Sequence, residues 1–378
     1  PIMQPEGENY KNPYNGDLQN NPIDLMKNGG EKTIKKESYV GKAQLTIKDF
    51  IKDLRINLSA SRRAGYASQE KNMRTLTWYN HLGNVQRTAN PANSLYKEKY
   101  GDTHDILEAT ANYSFSLKEA HNFSVLAGSS YENYRLDKMS GTAKNMLSND
   151  FFSFNYYDSS IATNTELSDE IGTWAMMSYF GRINYNYKEK YLFEANMRYD
   201  GSSRLAPSKR WRAFPSVSAA WRVSEEKWFK LGWLNSLKLR ASWGQLGNGA
   251  VLGLYDYLPL ISHSQSNAPA TYQGEKWFYQ ASLASEDKTW EIIETTNLGV
   301  DFGFLNNRLT GTFEYYWKYN NEMLAGLQLP SQIGIRVPNM NVGKLKTWGW
   351  DFNINWKDQI KDFSYQIGFN ISDSKNEL

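Results

Sequence analysis

Four histidines come first, because imidazole is the commonest metal ligand and a frequent general base. They stand at His81, His104, His121 and His263. No two have the spacing that puts both rings on one helix face, and no carboxylate cluster lies beside them, so a catalytic zinc site has no support. The chain contains no cysteine, which removes disulfides, thiolate metal sites and a thiol nucleophile. No Gly-x-Ser-x-Gly elbow is present for a hydrolase serine. Gly244, Gly247 and Gly249 follow a strand-like run, but no helical pattern comes after them, so they read as a loop start and not as a phosphate cradle. Two carboxylates could flank a glycosidic bond, yet with 40 acidic residues the sequence places no pair face to face. Asn57-Leu58-Ser59 and Asn122-Phe123-Ser124 match glycosylation acceptors, a three-residue pattern that arises often by chance. The expectation is no enzyme, no cofactor and no metal.

Aromatic side chains offer a different chemistry. A polar-rich set includes Trp78, Tyr79, Tyr96, Tyr100, Phe151, Phe152, Phe154, Tyr156, Tyr157, Trp174, Tyr255, Tyr257, Tyr272, Trp277, Phe278 and Tyr279. Rings among Asn, Asp and Ser can stack on sugars or peptide side chains. They can equally pack long loops against one another. Trp78, Tyr79, Trp174, Trp277 and Tyr279 are the substrate-contact candidates.

The elements that would position these rings are strands. Tyr191, Phe193, Ala195, Met197 and Tyr199 alternate with Glu194, Asn196, Arg198 and Asp200. Met177, Tyr179, Ile183, Tyr185 and Tyr187 alternate with Ser178, Arg182, Asn184 and Asn186. Period two puts the two sets on opposite faces of a strand. Only Lys188-Glu189-Lys190 separates the two runs, which predicts a hairpin. The pattern recurs at Leu54–Ala60, Leu107–Phe115, Leu309–Trp317, Trp348–Trp356 and Phe363–Ile371. In all there are about twelve such strands, many about ten residues long, the length a tilted strand needs to cross a membrane.

Connections alternate as well. Lys48–Asp53, Leu117–Asn122, Lys188–Lys190, Leu305–Arg308 and Lys357–Asp362 are short. Arg62–His104, Arg135–Thr173, Gly247–Trp290 and Lys318–Gly343 are long. Short turns on one side and long loops on the other are the habit of outer-membrane barrels. The intermediate Val223–Ser236, with Trp228, Phe229 and Trp233, is read as a small interfacial turn or one-turn helix on the periplasmic side. Tyr185, Tyr187, Tyr191, Phe193, Trp356 and Phe363 gather near turns, as in an aromatic girdle at headgroup depth. Cross-strand aromatic pairing in a soluble sheet is the alternative, and the alternation together with the loop asymmetry favours the girdle. Mean hydropathy is −0.66 and no apolar run is long enough for a membrane helix, which excludes helical spanning and leaves strand spanning open. The net charge of +3 gives no reason to expect a nucleic-acid partner.

Several runs resemble one family closely. They are Tyr179-Phe-Gly-Arg-Ile-Asn-Tyr-Asn-Tyr187, Lys190 through Asp200-Gly-Ser-Ser-Arg204, Arg212 through Trp221-Arg222, Leu237-Lys-Leu-Arg-Ala-Ser-Trp-Gly244, Glu294 through Gly303, and Leu305-Asn-Asn-Arg-Leu309. Their order resembles the SusC/RagA family of TonB-linked outer-membrane proteins over most of residues 174–376. Residues 1–173 agree by pattern. Within the signature, Gly181, Arg182, Asp200, Gly201, Arg204, Trp221, Arg222, Arg240, Trp243 and Gly244 read as structural. Gly201 is expected to permit an unusual backbone angle, with short polar side chains capping the strand end. Arg182, Arg198, Arg222 and Arg240 lie on polar faces and are expected to point into a lumen, pairing with carboxylates such as Glu194 or with a plug.

The resemblance implies an all-β, transmembrane antiparallel β-barrel: about 12 strands of a plugged barrel of about 22, with long extracellular loops and short periplasmic turns. It implies import of oligosaccharides or peptides in the bacterial outer membrane. The implied partners are a SusD-like surface lipoprotein, the TonB complex through an N-terminal region, and outer-membrane lipid. No plug, TonB box or N-terminal extension is legible, so 1–378 reads as a partial barrel domain, with 1–35 a loop or extended segment entering it. Both ends read as truncation or processing points. An adhesion barrel without energised transport is one alternative. A soluble sugar-binding or glycan-acting β protein, with short strands, is the other.

Overall fold

The computed structural model describes residues 22–79, 82–263, 278–280, 282–326, 330, 332 and 338–378. A helix, α1 (Pro22–Asn28), precedes β1 (Gly30–Lys48) and β2 (Leu54–Met73). A small hairpin of β3 (Leu76–Tyr79) and β4 (Val85–Ala89) follows. Then come β5 (Ser94–Leu117), β6 (His121–Lys144), β7 (Thr165–Tyr187), β8 (Tyr191–Ser202), β9 (Trp211–Arg222) and β10 (Leu234–Asn248). The short β11 (Ile261–His263) and β12 (Phe278–Gln280) pair with each other. The chain closes with β13 (Glu291–Phe304), β14 (Leu309–Ala325), β15 (Met340–Ile360) and β16 (Phe363–Glu377).

Twelve strands form one sheet in the order β1-β2-β5-β6-β7-β8-β9-β10-β13-β14-β15-β16. Setting the two small hairpins aside, every strand pairs with its sequence neighbours. The registers from β7 to β16 are all antiparallel. The twelve expected strands are therefore present. The 1–35 segment, expected as loop or extended chain, is helical over Pro22–Asn28 and strand from Gly30. Helix α1 is tied by Asp24, which accepts hydrogen bonds from Asn28 (2.6 Å) and from the Trp78 indole (2.5 Å).

The strands are longer than the alternation suggested. β5 and β6 each have 24 residues, which at about 3.3 Å per residue is roughly twice what a membrane crossing needs. Much of the expected loops Arg62–His104 and Arg135–Thr173 is thus strand. The reason is physical: strict apolar alternation is required only where one face meets hydrocarbon, whereas backbone pairing continues in water. At the other end the turns are as tight as expected. Lys118-Glu119 and Lys188-Glu189 both hold positive φ, as does the run Leu305-Asn306-Asn307. The last turn is shorter than Lys357–Asp362, because β15 continues to Ile360. Val223–Glu225 is a single 3-10 turn, as expected for that connection.

Burial along the strands is inverted relative to a water-soluble sheet. On β8 the apolar Phe193, Met197 and Tyr199 are 45–50% exposed, while Asp200 on the opposite parity is 7% exposed. Tyr179 and Ile183 on β7 are likewise exposed beside a fully buried Ser178. The apolar face looks outward and the polar face is the covered one, which speaks against a soluble sheet.

By contacts the chain divides into two compact units. One comprises residues 1–41, 61–105 and 134–173. Its core is Leu95, Ala143 and Met146, with Phe152 and Tyr157 packed on it. Asparagines order its connections: Asn93 donates to the carbonyls of Met146 and Ser148, and Asn149 exchanges two hydrogen bonds with the Thr75 backbone. The other unit comprises residues 42–60, 106–133 and 174–378. Its core is Leu205, Phe214, Leu252, Trp290 and Ile292, joined by Met176 and Leu324.

Candidate functional site

The candidate site is the polar face of the second unit, and strand parity builds it. Antiparallel register brings Ser178 opposite Asp200, Phe180 opposite Arg198, Arg182 opposite Asn196 and Asn184 opposite Glu194. The Arg198 guanidinium donates to Asp200 at 2.9 Å and to Ser178 at 2.8 Å, and lies over the Phe180 ring. Glu194, expected to receive an arginine, instead accepts from Asn196 at 2.8 Å. Arg198 is nearer to Asp200 on its own strand, two residues away on the same face.

Farther round the sheet Arg240 is the hub. It forms a bidentate pair with Asp301, with both hydrogen bonds at 2.9 Å, and reaches Glu314 at 2.7 Å. Asn297 donates to the other side of Glu314, Thr312 donates to Asp301, and Lys238 stands 3.8 Å from Asp301. Asp301 and Glu314 escaped the sequence reading, although both lie on the polar parity of β13 and β14. The missing information was register, which pairs Gly299 with both Arg240 and Glu314. A side chain at 299 would meet the Arg240 guanidinium at 3.0 Å.

Two sizeable cavities open on this face, beside a smaller one of about 460 Å³ at Thr312, Glu314 and Asn353. The larger, about 1170 Å³, is lined by Asn184, Glu194, Ser218, Lys238, Arg240 and Asn297 among others. The second, about 710 Å³, is lined by Glu132, Trp174, Arg182, Arg198, Arg204 and Trp290 among others. Serine, asparagine and paired charges with a few rings suit a hydrated passage for polar solutes better than a site of bond chemistry. Among the described residues no group of His, Asp and Glu is placed to hold a metal ion.

The signature residues have definite surroundings. Arg204 donates to the Gly249 carbonyl at 2.7 Å and lies 4.2 Å over the Trp174 ring, and burial pushes its guanidinium pKa down from the ordinary value. Ser202 accepts from the Arg204 N–H two residues on, as expected of a short polar side chain, whereas Ser203 accepts from the Ala175 N–H on the neighbouring strand. Gly201 has no positive φ, contrary to expectation. Its requirement is space, since a Cβ there would lie 2.6 Å from the Trp211 ring. Gly244 is similar, facing Ser216 at 2.7 Å, whereas Gly181 meets nothing closer than 3.4 Å. Arg222 reaches Glu189 at 3.7 Å. Trp243 is half-buried opposite Val217 and Thr296. Arg182 makes no hydrogen bond or ion pair with any described residue, and its Nε is buried.

The five substrate-contact candidates separate. Trp78 is 4% exposed and bound to Asp24, so it supports the fold of its unit, while Tyr79 beside it is exposed. Trp174 and Tyr279 belong to the other unit, the first in the second cavity and the second exposed on β12. Trp277 lies outside the described residues.

Near the tight turns the rings form a chain. Tyr187, Tyr191, Trp221, Trp228 and Phe229 succeed one another at centroid distances of 6.1–6.3 Å. Trp233 stacks on Phe304 at 5.6 Å. Glu226 anchors the chain, accepting from Tyr191 (2.6 Å), Lys190 (3.1 Å) and Trp221 (3.3 Å). The Tyr191 hydroxyl first, and then the Lys190 ammonium, hold the Glu226 carboxyl below the usual carboxylate range. Amphipathic rings gathered at one end of outward-apolar strands are what a membrane–water boundary selects.

The family model described as TonB dependent receptor-like, beta-barrel matches residues 4–377. The chain belongs to that family. It is 36% identical over 209 residues to the TonB-dependent receptor SusC of Bacteroides thetaiotaomicron, covering 54% of this chain and 21% of SusC. It is 30% identical to the TonB-dependent receptor P39 of Formosa agariphila, covering 78% of this chain and 28% of P39. The structure of the RagAB peptide importer in its closed-closed state superposes with a TM-score of 0.77 at 23% identity, over 92% of this chain and 37% of that one. This TonB-dependent receptor chain, of the SusC/RagA kind, thus spans a fifth to under two fifths of those relatives. Its strands are those of an integral outer-membrane β-barrel, and the exposed apolar face is the lipid face.

Proposed function

We propose that the protein to which these strands belong imports oligosaccharides or peptides across the bacterial outer membrane, driven through TonB and assisted by a SusD-like surface lipoprotein. The observation that carries this reading is the inverted sheet. Its exposed apolar face fits lipid, and its covered face is a continuous array of serines, asparagines and paired charges around two cavities. Together with relatives named as TonB-dependent receptors, that arrangement supports a passage for polar solutes. In this reading the chain's own residues hydrate and guide. Arg240 and Lys238 together balance Asp301 and Glu314, so the wall carries polarity without a strong trap for either sign. The energised step and its contacts with the TonB complex belong to parts of the protein outside residues 1–378, among them a plug within a barrel of about 22 strands.

The test is whole-cell uptake in three backgrounds: wild type, a deletion of the gene, and a TonB-deficient strain. Labelled oligosaccharides and peptides are supplied as separate mixtures. Import predicts that one class is lost equally in both mutants while the barrel still reaches the outer membrane in the TonB-deficient strain. Uptake unchanged in all backgrounds refutes the reading and leaves surface adhesion as the function to examine.

A further inference from the structure

At the tight-turn end, the outward face of the sheet carries cations as well as rings. Tyr191 and Trp221 stand opposite each other in register, on the parity of the exposed Phe193 and Met197. The connection from β9 to β10 continues that face: Trp228 packs edge-on against Trp221, and Trp233 stacks on Phe304. Trp228, Leu231 and Trp233 stay exposed. Strands beyond this chain would not cover them, because these rings belong to β8 through β13, which have paired strands on both sides. A plug would not cover them either, since they lie on the face that meets lipid.

The charges of this stretch do not balance among themselves. Glu226 is engaged by Lys190, and Glu189 by Arg222 at 3.7 Å. Lys188, Lys227 and Lys230 are exposed and form no ion pair with any described residue, and Glu225 is the one further carboxylate among them. The Lys188 ammonium lies 5.2 Å over the Tyr187 ring. An excess of positive charge therefore stands among amphipathic rings. Such rings settle at headgroup depth, and the tight-turn end of an outer-membrane barrel faces the periplasm, where the leaflet is phospholipid. The anion that lysines meet at that depth is a lipid phosphodiester.

We propose that Lys188 and the segment Lys227–Trp233 form a docking site for an acidic phospholipid. Lys188, Lys227 and Lys230 take the headgroup, and Trp228, Leu231 and Trp233 lie along the start of the acyl chains. The chains then run on over Val217 and Leu239, exposed on the same outward parity, so the site is continuous with the lipid face of the strands. A zwitterionic lipid brings its own cation and gains less from the lysines. The site fixes the depth of the β9–β10 connection in the membrane and is independent of which solute is imported.

The experiment places the full-length protein in phosphatidylcholine vesicles that contain a trace of photoreactive lipid. The probe is phosphatidylglycerol in one arm and phosphatidylcholine in the other, each with a diazirine on the acyl chain near the headgroup. Labelling of the peptide that contains Trp228 and Trp233 is measured by mass spectrometry, after digestion with a protease that does not cut at lysine, and is expressed relative to labelling of β14. Wild type is expected to favour the glycerol lipid at this peptide, with a preference that shrinks as salt is raised. K188Q/K227Q/K230Q should lower labelling by the glycerol lipid by at least about tenfold, given about fivefold for each lysine beside an acidic headgroup. Labelling by the choline lipid stays as it was. The arginine variant K188R/K227R/K230R keeps the preference, and so does K71Q/K99Q, which removes exposed charge elsewhere. Equal labelling by the two lipids in wild type overturns the site and leaves an aromatic girdle alone. Equal loss in the glutamine and arginine variants overturns it by making the lysines structural, and equal loss in K71Q/K99Q overturns it by assigning the effect to net charge. None of these outcomes touches the import reading, which is judged by uptake.

Discussion

A methyl group added at position 201 and one added at position 181 meet different surroundings. At 201 it would press into the Trp211 indole, which also stacks on Tyr199 at 5.0 Å. At 181 the nearest atom is a carbonyl oxygen at 3.4 Å. Gly201→Ala is therefore expected to destabilise by about 1–3 kcal/mol, and Gly181→Ala to change stability by less than about 1 kcal/mol. Thermal unfolding in detergent, followed by loss of the heat-modifiable band, compares them. Arg240→Met tests the charge hub. It leaves Asp301 and Glu314 facing each other without their shared cation. Because all three are about a third exposed, the expected loss is about 1–3 kcal/mol and not the larger figure for fully buried pairs. A Glu314→Gln change in the same background should recover part of it, and full additivity would show that the two do not interact. Glu226 is a pH matter. Its carboxyl is held below the ordinary 4.5, so its contribution is complete above the unfolded value and is lost as pH falls through the lower folded one. Thermal midpoints measured from neutral pH to below that range should drop less in Glu226→Gln than in the wild type. Identical slopes would mean that the Glu226 contacts do not couple to folding.

At the scale of elements, the turns are the place to intervene. Lys118-Glu119 and Lys188-Glu189 each put two side-chain-bearing residues in the left-handed region, where Asn-Gly is the favoured pair for a two-residue hairpin. Replacing Lys118-Glu119 by Asn-Gly should stabilise by roughly 1 kcal/mol, read from the urea midpoint in detergent. No gain would show that contacts of Lys118 or Glu119 offset the backbone strain. These turns were legible in the sequence because the alternation on both sides stops at a charged Lys-Glu pair. The strand faces were legible for the same reason: Phe193, Met197 and Tyr199 had to lie opposite Glu194, Arg198 and Asp200. The outward ends of β5 and β6 were not. Once both faces meet water, segments such as Glu98–His104 carry no periodic signal, though their backbones stay paired. Site residues divide likewise. Parity placed Arg240 and Arg198 on the polar face. Their partners depended on register and on side-chain reach, which no spacing along one strand reveals. The burial of Trp78 was hidden because its partner, Asp24, comes from a helix in a segment read as loop.

At the scale of the whole molecule, the ring chain near the tight turns should sit at a defined depth in the bilayer. Trp228 and Trp233 are 65% and 58% exposed, while Trp290 and Trp78 are 3% and 4% exposed. In single-tryptophan variants reconstituted into bilayers, lipids brominated near the headgroup should quench Trp228 and Trp233 strongly and leave Trp290 and Trp78 bright. Equal quenching of all four would contradict the membrane orientation argued above. The meander of the sheet has a consequence of its own. Apart from two small hairpins, each strand's neighbour in space is its neighbour in the chain, so no segment has to thread past another. At the tight ends, loop closure between successive strands involves only short stretches of chain, which keeps the entropic cost of those hairpins small. Such a wall can be laid down in the order of synthesis, one hairpin after the next. It can also gain or lose a hairpin over evolutionary time without rearrangement of the strands already in place.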